Sequence, residues 1–242
     1  MSNKTVLITG AAKRVGKALA KRFALEGWNV VIHYNSSKDE ALEFSNELSQ
    51  LFSQQVFPIV SADLFSGEQT LIQLFDDLSK LGINKLDALI NNASNFYLGS
   101  LKDTDSTLLH NSFKVNFEAP FFLMRHFYLL YGSGSILNLL DTRVVGNESS
   151  HGAYSLSKKA LMNVTTMAAL EWAPSVRVNA IAPGPVLPPP GKDKLHLDKV
   201  IVSTPLQKRV ELDNLVESAY FLTTNDAITG QIIFCDSGAH LK

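Results

Sequence analysis

The 242-residue chain has a single cysteine, Cys235, so it can form neither an intramolecular disulfide nor a cysteine-cluster metal site. That scarcity fits a reducing compartment, and Cys235 reads as a small core hydrophobe. An excess of one charge is also missing, because 22 Lys and Arg face 23 Asp and Glu for a formal charge of −1. Without a basic block there is no long-range field to gather nucleic acid or an anionic membrane, and neither is expected as a partner. The most apolar stretches, 117–130 and 160–170, are interrupted by Glu118, Arg125 and His126 or are too short to cross a bilayer. Met1-Ser2-Asn3-Lys4 leads directly into Thr5-Val6-Leu7-Ile8-Thr9, with no apolar segment of a secretion signal between them. The expectation is a soluble, cytoplasmic protein.

What is present is 45% hydrophobic residues, enough for a sizeable core, in a length that suits one large domain or two small ones. Short β-branched runs at 5–9, 29–34, 55–61, 86–91, 134–140, 176–181 and 231–235 alternate with helical patterns. Alternation of this kind predicts βαβ units with right-handed crossovers, hence an α/β, doubly wound, parallel seven-stranded sheet in one domain spanning 1–242. Gly27 marks the end of the first helix, and Ser37-Lys38-Asp39-Glu40 has the form of a capping box opening the second. The one irregular stretch, 183–206, carries six of the nine prolines and reads as a loop covering a site.

After the first strand, Thr9-Gly10-Ala11-Ala12-Lys13-Arg14-Val15-Gly16 provides a tight turn and then a helix whose free N–H groups face outward, as a diphosphate site requires. A bare strand-to-helix turn needs Gly at its corner too, so the position after the first strand carries the nucleotide reading. An NAD site would place an acid about 20 residues on, at the end of the second strand. His33-Tyr34-Asn35-Ser36-Ser37 has none. Arg14, with the hydroxyls of Ser36 and Ser37, can instead hold a 2′-phosphate, which favours NADP(H). Lys13 and Arg14 at the positive end of a helix dipole call for an anionic partner.

Tyr154 and Lys158 are four residues apart in a helical pattern, which places the phenol and ammonium on one face. A nearby ammonium is expected to lower the tyrosine pKa toward the working range of an acid–base group. Asn91-Asn92-Ala93 ends the fourth strand, Asn116 lies in the next helix, and Asn179-Ala180-Ile181-Ala182-Pro183-Gly184 follows the sixth strand.

With the glycine turn, these motifs resemble the short-chain dehydrogenase/reductase family over essentially the whole chain. The resemblance implies a Rossmann-type domain in which Tyr154 exchanges the proton, Lys158 binds the nicotinamide ribose and Asn116 helps hold a relay water. It further implies that Asp63 meets the adenine and that Asn91, Val15, Leu64, Ala93, Ser94, Pro183 and Gly184 lie along the cofactor. Association of two or four copies through the helices at 117–131 and 153–172 is implied too, and their apolar circumference agrees with a covered outer face.

The departures from the family pattern narrow the function. Where many members have a serine thirteen residues before the tyrosine, this chain has Asp141. An ionised Asp cannot donate to a carbonyl and opposes phenolate formation at Tyr154, but it suits a substrate nitrogen. In the alternative, Asp141 turns to solvent and Thr142 supplies the hydroxyl. Arg14 replaces the middle glycine of the loop, and Asn-Asn-Ala continues Ser94-Asn95-Phe96. This combination resembles the pteridine reductases, which implies that Phe96 stacks on a pterin while Ser94 and Arg14 bind its polar edge. The expected activity is NADPH-dependent hydride transfer to a C=N bond of a pterin or dihydropterin, with Asp141 and Tyr154 supplying the proton. A carbonyl reductase using Thr142 or Ser94, and a non-catalytic NADP-binding sensor, are the alternatives.

Overall fold

A computed structural model describes residues 3–187 and 201–242. All seven expected strands are present: β1 Thr5–Ile8, β2 Asn29–Tyr34, β3 Ile59–Ser61, β4 Ala88–Asn91, β5 Gly134–Leu139, β6 Val176–Pro183 and β7 Ile232–Cys235. They form one parallel sheet in the order β3-β2-β1-β4-β5-β6-β7. The order reverses between β1 and β4, and the carboxyl ends of strands at such a reversal open a crevice in doubly wound sheets.

The period of two along each strand divides the core. Val6, Ile8, Val30, Ile32, Ala88 and Ile90 face one layer with Phe23 and Leu19 of helix α1 (Arg14–Leu25), Phe44 and Leu48 of α2 (Lys38–Leu51) and Leu215 and Leu222 of the last helix. Leu7, Val31, Leu89, Ile136 and Val178 face the other layer. There they meet Leu71, Leu74 and Leu78 of α3 (Glu68–Lys80), Leu123 and Phe127 of α5 (Ala119–Tyr131) and Ala168 of α6 (Gly152–Glu171). A strand apolar on both faces is buried on both, which is why Val6, Leu7 and Ile8 are all fully buried. Helix α4 (Ser106–Phe113) runs into α5 through a π turn at Lys114–Glu118, and α7 (Leu212–Thr224) completes the described helices.

Three local expectations change. Strand β3 is shorter than 55–61 because Pro58 has no N–H and the Val56 N–H goes to the Asn29 side chain, so toward the β2 backbone both residues offer only their carbonyls, which accept from Val30 and Ile32. Strand β6 extends two residues further, because Ala182 and Pro183 pair with Phe234 and Cys235. The capping box does not form. Ser37 stands at the start of α2 without a side-chain bond to it, and Glu40 is drawn away into an ion pair with Lys13.

Between β4, β5 and α6 lies a buried polar chain. Asn91 Nδ2 donates to Asn138 Oδ1 (2.8 Å), and Asn138 Nδ2 donates to Thr165 Oγ1 (2.9 Å), which fixes α6 to the sheet by a directional contact. Asn138→Ala leaves the Asn91 amide and the Thr165 hydroxyl without this partner in the interior. It is expected to cost about 1–3 kcal/mol in urea unfolding, and a loss under 0.5 kcal/mol would show that the chain is dispensable.

Candidate active site

The glycine turn is held by the end of β4. Thr9 Oγ1 accepts from the backbone N–H groups of Asn92 and Ala93, both at 2.9 Å, and Asn92 Nδ2 donates to the carbonyls of Thr9 (2.8 Å) and Gly10 (3.2 Å). Gly10 has φ +63°, and a Cβ on Gly16 would fall 2.1 Å from the Gly10 carbonyl oxygen, so helix α1 can approach the turn only with glycine there. Arg14 keeps the left-handed backbone, φ +52°, expected of the glycine it replaces.

The turn has a second support that only the structure reveals. His33, fully buried at the end of β2, accepts from the Gly10 N–H through Nδ1 (3.0 Å). Its Nε2 is 3.0 Å from the Ala62 carbonyl, so the ring is the neutral Nε2–H tautomer that bridges the turn to the end of β3. Burial pushes its pKa down to about 4. The Gly10 N–H is thereby used within the protein.

Above this frame, Gly10, His33, Asn35, Asp63, Leu64, Ala93 and Ser94 line a groove of about 370 Å³ at the carboxyl ends of the strands. All seven come from the cofactor set read in the sequence; Asn95 and Tyr97, from the run after Asn-Asn-Ala, line it as well, as do Phe65 and Val115, which no motif marked. Asp63 shapes one wall by accepting from Phe65 N (3.0 Å), Ser66 Oγ (2.9 Å) and Asn35 Nδ2 (3.3 Å). Arg14 and Ser36 are exposed near the groove, Ser37 is half-buried, and Val15 and Tyr34 pack against the core. Asn91 is buried at the end of β4, where its Nδ2 donates to Asn138 inside the sheet and its Oδ1 has no hydrogen-bond partner. Lys13 has its anion in Glu40. Pro183 and Gly184 begin the proline-rich stretch, where a Cβ on Gly184 would meet Asp236 at 2.9 Å; residues 188–200 of the expected loop lie outside the described residues.

Beyond the groove stand the catalytic candidates. The Tyr154 hydroxyl donates to Asp141 Oδ2 at 3.0 Å, and Asp141 Oδ1 accepts from Arg143 N at 2.9 Å. Thr142 Oγ1 also leans toward Asp141, at 3.5 Å, so the carboxylate faces the site and not bulk solvent. Lys158 is buried, with Nζ donating to the Leu139 carbonyl at 2.7 Å. The expected lowering of the Tyr154 pKa is overturned: burial first, then the Asp141 charge and hydrogen bond, hold it well above the ordinary phenol value. Burial pushes Lys158 down to about 8, against the charge of Asp141. At neutral pH the pair is thus a phenol that keeps its proton and an ammonium near its titration range.

Asn116, buried in the π turn, accepts from Ser94 Oγ (2.8 Å) and Asn95 N (3.0 Å), and its amide donates to Asn95 Oδ1 (2.9 Å). Phe96 is 45% exposed, edge-on to Tyr154 at 4.7 Å between ring centroids and stacked on His151 at 4.3 Å. His151 carried no motif in the sequence; it lies three residues before Tyr154 and becomes legible only once Phe96 is placed.

A sequence profile described as enoyl-(acyl carrier protein) reductase, one of the short-chain dehydrogenase/reductases, matches residues 10–240. The chain belongs to that family. It is 31% identical over 250 residues to dihydromonapterin reductase of Klebsiella pneumoniae, a match covering 99% of this chain and 98% of the relative. It is 28% identical to a 3-oxoacyl-[acyl-carrier-protein] reductase of Staphylococcus epidermidis, covering 99% of this chain and all of the relative. Among solved structures it superposes on FolM alternative dihydrofolate reductase 1 from Brucella canis, complexed with NADP, with TM-score 0.89 and 34% identity over all of this chain and 96% of that one. The short-chain dehydrogenase/reductase fold and an oxidoreductase scaffold are thereby shown.

The His33 bridge has a pH signature. Its folded pKa of about 4 lies below the ordinary 6.5, so the stability it contributes is whole above pH 6.5 and is lost as pH falls from 6.5 toward 4. By pH 5 the wild type should have lost about 2 kcal/mol to this group, a loss that His33→Gln lacks. Urea unfolding of both proteins from pH 7.5 to 4.5 measures the difference, and parallel curves would remove His33 from the account.

Proposed function

We propose that this protein is an NADPH-dependent reductase of a C=N bond in a pterin or dihydropterin ring. The observation carrying the proposal is the 3.0 Å contact between Tyr154 and Asp141, set beside the Phe96 ring. A carboxylate at this position cannot donate to a carbonyl, whereas with a phenol it can handle the proton of a ring nitrogen and accept from ring N–H groups.

The residues in and beside the groove suit the cofactor in their chemistry. A glycine turn and the amino end of α1 suit a diphosphate, and the absence of an acid after β2 leaves Asn35, Ser36, Ser37 and Arg14 to face a 2′-phosphate. Lys158 would hold the nicotinamide ribose and Asp63 and Leu64 the adenine side. When bound, the dinucleotide would supply the hydride. Tyr154 gives its proton to the nitrogen that gains the electron pair of the reduced C=N bond, and the Asp141 carboxylate takes a proton from solvent and passes it to the phenolate oxygen. Phe96 clamps the flat ring, and Asn116 holds Ser94 in place and steadies the relay. The relatives named for dihydromonapterin and dihydrofolate reduction support this reading.

The carbonyl-reductase reading is supported by the oxoacyl reductase relative. Against it, the Ser94 hydroxyl donates to Asn116 and that of Thr142 is turned to Asp141, so both candidate carbonyl donors are engaged. A non-catalytic sensor would have no need of Tyr154, Lys158 and Asn116 together. We also place the protein in the cytoplasm as a homo-oligomer: Leu129 and Leu130 of α5 and Met167 and Leu170 of α6 are exposed, and a second copy would cover them.

Wild-type enzyme assayed with NADPH should reduce 7,8-dihydropterins in preference to simple ketones, and the reverse preference would transfer the proposal to carbonyl reduction. Tyr154→Phe is expected to lower kcat about 10²–10⁴-fold. Asp141→Ser should lower pterin turnover by a comparable factor while NADPH binding, followed by fluorescence, stays within about threefold; equal loss of both would make Asp141 a structural residue. Arg14→Ala should raise KM for NADPH about tenfold or more and leave KM for NADH nearly unchanged.

A further inference from the structure

Arg143 belongs to the single turn, Thr142–Val144, that follows Asp141, and its backbone is fixed by the same carboxylate that receives Tyr154. Its guanidinium carbon lies 5.8 Å from the centroid of the Phe96 ring. Its charge reaches the reacting groups, lowering the pKa of Tyr154 against burial and opposing protonation of His151. The protein gives this cation little in exchange. Its Nε is buried without a hydrogen-bond partner, and Glu148, the acid nearest its Nη2 at 3.8 Å, has a side chain 71% exposed. No other part of the catalytic pair requires a guanidinium here, because Lys158 already supplies the buried positive charge beneath Asp141.

We propose that Arg143 is a specificity residue that anchors a carboxylate carried on the substituent of the substrate ring, just beyond Phe96. The inference rests on the pterin reading and deepens it, because it selects ring substrates with an anionic tail over those with a neutral one. A guanidinium presents a planar fork of donors that matches a carboxylate with two parallel hydrogen bonds, and it lies flat against an aromatic ring without losing them. A neutral hydroxylated tail offers acceptors but no charge. A carboxylate brought in without Arg143 would meet only Asp141, which repels it. In a half-buried site both effects exceed their size in water. Glu148 is well placed to occupy the fork loosely when no tail is bound and to swing into solvent when one is.

The test compares 7,8-dihydrofolate, whose tail carries carboxylates, with 7,8-dihydrobiopterin, whose side chain is neutral, using NADPH and full-length wild type, Arg143→Gln and Arg143→Lys. Arg143→Gln should raise KM for dihydrofolate at least tenfold more than KM for dihydrobiopterin, and any change in kcat that follows from the Tyr154 pKa should be the same for both substrates. Arg143→Lys, which keeps the charge and loses the fork, should fall between, and it provides the measurement if the Gln variant does not fold. Added salt should erode the preference of the wild type for dihydrofolate and leave Arg143→Gln unmoved. A parallel rise in KM for both substrates would make Arg143 a structural residue, and no change for either would remove the subsite; in both cases the pterin reading stands. If the wild type reduces neither compound, the pterin reading fails and this inference fails with it.

Discussion

At the junction of β1 and β4 one threonine hydroxyl takes two backbone N–H groups, from Asn92 and Ala93, while the Asn92 amide closes on the carbonyls of Thr9 and Gly10. Everything at the rim of the sheet is measured from this clasp. On its β1 side it fixes the turn from which α1 departs, with Gly10 and Gly16 in contact. On its β4 side it starts the segment that carries Ser94 to Asn116 and Phe96 to Tyr154. The dinucleotide groove and the catalytic pair thus share one anchor, and a shift of the clasp moves both. Constellations held on strand ends keep their geometry better than those carried by loops alone.

Burial acts in opposite directions on the two titrating groups of α6. It raises Tyr154 and lowers Lys158, in each case by disfavouring the charged form. In a family motif read as an ammonium that activates a phenol, the aspartate at 141 changes the balance: it adds a negative charge at 3.0 Å from the phenol oxygen and keeps the proton on it. On the proposed reading, such a site gives its proton at neutral pH to a substrate nitrogen. The same burial makes His33 a neutral strut under the glycine turn, so the ring adds no charge there near neutral pH.

Much of this was legible in the chain. Seven β-branched runs gave seven strands, because residues apolar on both faces can be satisfied only inside a parallel sheet. Gly10, Asp63, Ala93 and Ser94 were identifiable by their offsets from strand ends, and the groove gathers them. Elsewhere local pattern failed. Ser37 and Glu40 had the spacing of a capping box, but Lys13, distant in sequence, offered Glu40 a charged partner. Asn91 matched a motif that would set it along the cofactor, and the bond of its amide to Asn138 on the neighbouring strand had no signal in the local pattern. Ser237 holds the left-handed backbone at φ +56° and donates its hydroxyl to the Lys208 carbonyl, a contact between segments that no local pattern encodes.

By itself the sequence determined the sheet and the turn that receives a dinucleotide, since periodicity and short-range spacing follow directly from the geometry of strands and helices, and by family resemblance it supplied the candidates for proton handling. The tertiary structure alone decided which way the Tyr154 pKa moves, that His33 braces the turn, and that His151 and Arg143 flank Phe96. Each of those outcomes depends on desolvation or on a contact between residues from different elements. Both quantities come into being only when the chain has closed on itself and excluded water.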